Sequence, residues 1–147
     1  MDQIHSILKT FFGYNEFRPL QKEIINTILE NKSCLVLMPT GGGKSLCYQV
    51  PAIAKEGTTL VISPLIALMK DQVESLRANG VKAAYMNSSL SQEDELSVAT
   101  EAANGKLKLL YVSPEKALTL TQGFLSSIKL SLIAIDEAHC ISQWGHD

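Results

Sequence analysis

A glycine-rich stretch that ends in lysine and serine is the part of the sequence best suited to chemistry. Residues 38–45 are Met-Pro-Thr-Gly-Gly-Gly-Lys-Ser. A glycine-rich turn before a helix lets backbone N–H groups converge on a phosphate chain, and the helix N-terminus adds positive dipole character. Lys44 would then reach the terminal phosphates, and the Ser45 hydroxyl would coordinate Mg²⁺. The remaining loop residues that would surround the phosphates are Thr40, Gly41, Gly42 and Gly43.

The residues on either side of this loop favour phosphate binding over a surface turn. The apolar run 34–38 before it predicts a buried parallel strand, and residues 46–50 after it can open a helix. One position departs from the strict phosphate-loop pattern, which has glycine where Met38 stands. Without its neighbours the loop would be equally compatible with an ordinary surface turn.

An acidic pair supplies the second half of a nucleotide-hydrolysing site. Asp136 and Glu137 follow four apolar residues, 92 positions after Lys44. In a P-loop NTPase the first carboxylate holds Mg²⁺, and the second orients or deprotonates the attacking water. A charged helix cap after a strand would look the same in isolation. Together with Lys44 on the same sheet edge, the pair favours a catalytic role for Lys44, Asp136 and Glu137.

Strands and helices alternate along the chain and would place these groups at one edge of a sheet. Apolar strands alternating with helices indicate a parallel sheet covered on both faces, a three-layer α/β/α fold. Ligands bind such sheets at the carboxyl ends of the strands, where the polar segments of this chain fall. The predicted strands are 34–38, 59–62, 83–86, 109–112 and 132–135. The predicted helices are one around Ile4–Phe11 ended by Gly13, one with Pro19 in its first turn, 45–54, 65–78, 91–103 and a short piece after Glu115.

Composition limits the class of protein without identifying a partner. The 147 residues are 46% hydrophobic and carry 13 basic and 15 acidic side chains, for a net charge of −2. The lysines are scattered along the sequence, so composition gives no support for binding DNA through a basic patch. No apolar run reaches the roughly 18–20 residues that span a membrane, and residues 1–5 lack the basic and apolar regions of a secretory signal. We therefore expect a cytosolic globular domain in which Cys34 and Cys47 pack, and in which Cys34, Cys47 and Cys140 have no metal-binding or redox role.

Six stretches together resemble the RecQ family of superfamily 2 DNA helicases. Within that family a methionine at position 38 is normal, and the last of the stretches is far more specific than its four-residue Asp-Glu-Ala-His box. The resemblance implies a RecA-like P-loop lobe, ATP and Mg²⁺ as cofactors, and 3′-to-5′ DNA helicase activity in repair and recombination. The matching stretches are 12–14 (FGY), 17–21 (FRPLQ), 38–45, 63–72 (SPLIALMKDQ), 111–116 (YVSPEK) and 136–147 (DEAHCISQWGHD).

The same resemblance assigns adenine recognition to three residues near the N-terminus. Tyr14 would stack on the base, and Arg18 would pack against the base or its sugar. Gln21 would hydrogen-bond the adenine edge and so select ATP over GTP. Without the motif, Tyr14 would be a partly buried hydrophobic anchor and Gln21 an exposed helix position.

Contact with single-stranded DNA and duplex junctions is implied for two further segments. Ser63, Pro64 and Leu65 open the motif that touches single-stranded DNA in the family. In the last stretch, His139 would link the nucleotide site to the DNA site, and Gln143 and Trp144 would take part in the same coupling to nucleic acid. Aromatic stacking on bases is consistent with a sensing role for Trp144, although a hydrophobic anchor for its own loop is an equal alternative. For His139 the alternative is a capping or surface histidine.

The family pattern continues past residue 147, so we expect an incomplete first RecA-like domain. Residues 1–31 would carry the N-terminal helices with the adenine segment, and 32–147 the P-loop core. A second lobe would supply the arginine finger, without which we expect these residues alone to turn over little ATP. The location would be the bacterial cytoplasm at the nucleoid, or the nucleus in a eukaryote. A non-catalytic nucleotide-binding module and a lobe of another DEAH-box translocase are the alternatives.

One topological expectation also follows from the resemblance. In RecA-like lobes, the strand that follows the acidic box inserts between the phosphate-loop strand and the Asp136 strand. Without that strand, we expect the two to close up, to recruit a strand from another chain or to stay loosely ordered. A gap would leave backbone groups unpaired, each at a cost of about 1–3 kcal/mol, so we expect marginal stability or association.

Overall fold

The chain folds into alternating strands and helices, in the order that the sequence predicts. The computed structural model describes residues 3–19, 21–30, 35–38, 45–120, 126 and 128–136, with the backbone alone for 35–38 and Asp136. The helices are α1 (Gln3–Ile7), α2 (Gln21–Glu30), α3 (Leu46–Ala54), α4 (Ile66–Ala78), α5 (Gln92–Ala103) and α6 (Pro114–Thr119), and a π-helical turn (Leu8–Phe12) follows α1. The strands are β1 (Leu35–Met38), β2 (Thr58–Ile62), β3 (Ala83–Met86), β4 (Leu109–Val112) and β5 (Leu130–Asp136).

The described strands form one parallel sheet in the order β1-β5-β2-β4-β3. Side chains alternate across it, so that Val61 and Leu109 pack with α3 and α4 on one face. Leu60 and Leu110 pack on the opposite face with residues of α5 and α6. Because both faces are covered, the central strands are mainly apolar. The predicted three-layer α/β/α fold is confirmed.

The N-terminal segment packs on the α3 face and differs in detail from the prediction. The π-helical turn carries the helical path to Phe12, and Gly13 ends it in the left-handed conformation at φ 77°. The second helix is described from Gln21, and Leu20 lies outside the described residues, so the placement of Pro19 in the first turn stays a prediction. The Arg18 backbone N–H donates to the Gln21 side chain, a contact of the kind that caps a helix N-terminus.

The phosphate-loop strand and the Asp136 strand are direct neighbours. Leu35 is in register with Ile133, and Met38 with Asp136. The strand that the resemblance inserts between them is thus not found among the residues the structure describes. Of the three expected outcomes the structure shows the first, in which β1 and β5 close up and satisfy each other's backbone groups. The expected marginal stability stays a prediction.

Several lysines that are scattered along the sequence lie near one another at the amino edge of the sheet. Backbone hydrogen bonds link Lys108 to Lys82 at 2.8 Å, and Lys129 to Thr58 at 2.7 Å. The Lys108 ammonium donates to the Lys55 carbonyl at 2.9 Å. Lys129 pairs with Glu56 at 3.0 Å. Several of these charges therefore serve contacts within the fold, where helices end and strands begin.

The structure tests the expectations about the cysteines and about membrane-spanning segments only for the described residues. Cys47 is buried in the core of the α3 face, which confirms its packing role. Cys34 and Cys140 lie outside the described residues. Among the helices that are described, none is both long enough and apolar enough to cross a membrane.

Candidate nucleotide-binding site

A cavity of about 320 Å³ lies between the N-terminal segment and the start of α3. It brings together Tyr14, Arg18 and Gln21 with Ser45, which is 24 positions or more away along the chain. The fold thus places the predicted adenine segment beside the end of the predicted phosphate loop. The lining residues are Phe12, Tyr14, Glu16, Arg18, Gln21, Ser45, Leu46 and Gln49.

Tyr14 reaches the cavity because the preceding helical turn ends abruptly. Gly13 turns the chain through its left-handed conformation, and the Tyr14 N–H still donates to the Leu8 carbonyl at 3.4 Å. The Tyr14 side chain is 58% exposed. Tyr14 therefore lines the cavity with much of its surface exposed, and this exposure is also compatible with the alternative of a partly buried anchor.

Gln21 is held in place by a reciprocal contact with Arg18. Its side-chain oxygen accepts the Arg18 backbone N–H at 2.8 Å, and its own backbone N–H donates to the Arg18 carbonyl at 3.1 Å. The residue is only 6% exposed, so the alternative of an exposed helix position does not apply. The contact fixes the direction of the amide at the wall of the cavity, while the Arg18 side chain is exposed.

The two segments predicted to form the phosphate-binding half of the site follow two neighbouring strands. β1 ends at Met38 and β5 at Asp136, opposite one another. Ser45 directly precedes α3, and its carbonyl accepts the Gln49 N–H at 2.9 Å in the first turn. The predicted residues Thr40, Gly41, Gly42, Gly43, Lys44 and Glu137 lie outside the described residues.

The segment predicted to touch DNA leaves the same edge of the sheet. Ser63 is buried, and its backbone N–H donates to the Val112 carbonyl at 3.0 Å. Its hydroxyl accepts the Leu65 N–H at 3.2 Å, which is a local turn contact. Pro64 is half-buried, whereas Leu65 is exposed together with Ile66 and Leu68. The predicted residues His139, Gln143 and Trp144 lie outside the described part of the chain.

Comparison with known proteins agrees with this geometry. The family described as DEAD/DEAH box helicase matches residues 18–147. The chain belongs to this family. As a DEAD/DEAH box chain it also shares a fold with the DUF1998 helicase MrfA, solved bound to DNA. The TM-score is 0.67 at 19% identity over 92% of this chain and 20% of that one.

Relatives with much higher identity confirm the resemblance to RecQ helicases. The chain is 57% identical over 143 residues to the ATP-dependent DNA helicase RecQ of Haemophilus influenzae, covering 97% of this chain and 23% of the relative. It is 48% identical over 151 residues to the RecQ of Bacillus subtilis, covering 100% and 25%. This DEAD/DEAH box chain therefore spans about a quarter of the length of these relatives.

Gln49 is a wall residue of the cavity that the sequence reasoning missed. It is 6% exposed, and its amide nitrogen donates to the Tyr111 hydroxyl at 3.0 Å. Glu16 was missed as well. The one available signal was spacing, because Gln49 lies four residues after Ser45 and therefore on the same face of α3.

Proposed function

We propose that this chain is the nucleotide-binding part of an ATP-dependent DNA helicase of RecQ type. The cavity that joins Tyr14, Arg18 and Gln21 to Ser45 is the observation that carries the proposal. Membership of the DEAD/DEAH box family and the high identity to RecQ helicases support it. The parent activity would be ATP-driven strand separation in DNA repair and recombination.

The cavity fits a nucleotide in size and in chemistry. Its volume of about 320 Å³ lies at the lower end of ordinary ligand pockets. Tyr14 supplies an aromatic face, Arg18 a cation and Gln21 an amide for the base. Mg²⁺ bound between Ser45 and Asp136 would neutralise phosphate charge, and Glu137 would hold the attacking water. The residues that would bind the phosphates are Thr40, Gly41, Gly42, Gly43 and Lys44.

DNA and a second lobe would be the partners of this part. Single-stranded DNA near a duplex junction would pass the edge that carries Ser63, Pro64 and Leu65. His139, Gln143 and Trp144 would link that strand to the nucleotide site. A second RecA-like lobe would add the arginine finger. The location would be the bacterial cytoplasm or, in a eukaryote, the nucleus.

Nucleotide binding by the 147-residue chain tests the first half of the proposal. A fluorescent ATP analogue with Mg²⁺ should bind saturably, and ATP should displace it better than GTP. Lys44→Ala should weaken binding about 10- to 100-fold, since it removes a charge-assisted contact to phosphate. Lys106→Ala, an exposed lysine at the opposite edge, is the matched control and should bind normally. Equal displacement by GTP, or no binding at all, would contradict the proposal.

Hydrolysis is tested with Glu137→Gln in a helicase of the relatives' length that carries this segment. The variant should bind ATP as the wild type does, because Asp136 still holds Mg²⁺, yet DNA-stimulated turnover should stop. A loss of ATP affinity as large as that of Lys44→Ala would show that Glu137 has been assigned the wrong role. Retained turnover would leave a nucleotide-binding module as the better description.

A further inference from the structure

A chain of four polar side chains crosses the core between the nucleotide cavity and α4. Gln49 donates to the Tyr111 hydroxyl at 3.0 Å, which lies 3.4 Å from the Tyr48 hydroxyl. Tyr48 in turn donates to the Gln72 side-chain oxygen at 3.2 Å. We call these four residues, Gln49, Tyr111, Tyr48 and Gln72, the relay.

The two tyrosines of the relay are buried in the core, where apolar side chains are usual. Tyr48 is 0% and Tyr111 1% exposed, and their rings meet edge to face with centroids 6.4 Å apart. A polar group in such surroundings needs a partner, and no buried side-chain polar atom among the described residues lacks one. Hydrogen bonds are strengthened by the low local dielectric, so a fully paired network fixes the relative position of its members.

Each end of the relay lies on an element that carries a predicted functional segment. Gln49 lines the nucleotide cavity one turn after Ser45, at the start of α3. Gln72 lies on α4, which begins directly after Ser63, Pro64 and Leu65. A second cavity of about 280 Å³ is lined by Ser45, Gln49 and Gln72, so the two ends also face common space.

The middle of the relay lies on a third such element. Tyr111 is on β4 and is the first residue of 111–116, the segment that resembles the next helicase motif. The Ser63 N–H bonds to the Val112 carbonyl beside it. A small shift of α3 would therefore move both the segment 63–72 and the segment 111–116.

We propose that Tyr111 is a positioning residue that ties α3 to α4, so that a nucleotide seated at Ser45 alters the first turns of α4. The inference rests on the proposed nucleotide-binding function and adds a residue-level connection to it. Tyr111 itself contacts neither the nucleotide nor DNA in this proposal. It acts through Gln49 on one side and through Tyr48 and Gln72 on the other.

Hydrogen–deuterium exchange of the 147-residue chain, with and without a slowly hydrolysed ATP analogue and Mg²⁺, tests this connection. In the wild type, the nucleotide should slow exchange in peptides covering 63–72 by about fivefold or more, the lower end of ordinary site-to-site coupling. Tyr111→Phe should bind the analogue within about threefold of wild type, since it removes no ligand contact, but should lose that slowing.

Tyr85→Phe is the matched control. Tyr85 is in register with Tyr111 on the neighbouring strand and half-buried, but its hydroxyl is not a member of the relay. It should keep the nucleotide-dependent protection of 63–72. Should Tyr111→Phe fail to fold, Gln72→Leu decides instead, because Gln72 is half-buried and its loss removes only the last link.

The outcomes separate the two proposals. A wild type that binds no nucleotide overturns the proposed function and, with it, this inference. A wild type that binds nucleotide without slower exchange at 63–72 overturns the inference alone. The inference is also overturned if Tyr111→Phe and Gln72→Leu keep the protection, or if Tyr85→Phe loses it as well.

Discussion

Met38 and Asp136 occupy matching positions on two adjacent parallel strands, β1 and β5. Both strands end there, so the residues from which the glycine-rich loop and the acidic pair begin lie side by side, although 92 positions separate Lys44 from Asp136 in the chain. Parallel strands present their carboxyl ends at one edge, which is where α/β sheets bind ligands. The pairing therefore favours a shared role for the two segments.

Gln21→Glu should weaken binding of ATP and relax discrimination against GTP. The carboxylate keeps an oxygen for the Arg18 backbone N–H, which Gln21 accepts at 2.8 Å, but it cannot donate to the adenine edge. Loss of one hydrogen bond predicts a decrease in ATP affinity of about 2- to 10-fold. Glu23→Ala, exposed on the same helix, is the control for competition binding. An unchanged ATP-to-GTP ratio in Gln21→Glu would remove Gln21 from adenine recognition.

Tyr111→Phe should lower the free energy of unfolding by about 1–3 kcal/mol, because it leaves the buried Gln49 amide without its acceptor. Tyr85→Phe on the neighbouring strand should change it much less. Urea titration followed by circular dichroism measures both. Equal destabilisation by the two substitutions would mean that the Gln49 contact contributes nothing specific.

Gly57→Ala should destabilise the chain more than Gly105→Ala. Both glycines have positive φ, 106° and 72°, which costs an alanine about 1–2 kcal/mol. A Cβ at Gly57 would also lie 2.5 Å from the Lys129 carbonyl oxygen, whereas nothing lies within 4 Å of one at Gly105. That oxygen accepts the Thr58 N–H at 2.7 Å and is not free to retreat, so overpacking adds about 1–3 kcal/mol. Urea midpoints that fall equally would contradict the clash.

Glu56 should titrate below its ordinary range. Its hydrogen bond to the Lys129 ammonium at 3.0 Å, followed by the charge of Lys129, lowers the pKa of its carboxyl. A lowered pKa means that the contact stabilises the fold above the unfolded-state pKa and is lost as pH falls through the folded-state pKa. Because both side chains are exposed, solvent and salt screen the effect.

An NMR titration of the Glu56 carboxyl measures this effect directly. Lys129→Ala should raise the midpoint, and high salt should raise it in the wild type. Lys106→Ala serves as the control and should leave it in place. A midpoint that does not respond to Lys129→Ala would show that the pair does not form in solution.

The fold class was predictable because it depends on local patterns. Apolar runs at β2 and β4, joined by helical stretches with glycine turns, already indicate a parallel sheet. Ser91 caps α5 at the start of the predicted helix 91–103, whereas α6 begins at Pro114 with Ser113 as its cap, slightly before the piece predicted after Glu115. Short-range steric and hydrogen-bonding preferences decide such features, so few alternatives compete with them.

The candidate site was predictable as a set of residues but not as a place. The phosphate loop and acidic pair were recognisable from residue types and spacing alone. That Tyr14, Arg18 and Gln21 border one cavity with Ser45 depends on how the N-terminal segment packs against α3. No pattern within either segment contains that information.

Tertiary structure alone decided the pairing of β1 with β5, the convergence of the lysines and the relay through Tyr111. The sequence by itself determined an α/β chain with a phosphate loop and an acidic box on strands of one sheet. Strand order depends on contacts between residues that are far apart in the chain. The same holds for polar contacts such as that between Gln49 and Tyr111, which are 62 residues apart. Many strand arrangements are compatible with the same local sequence pattern, and only the combined packing of both sheet faces selects one of them.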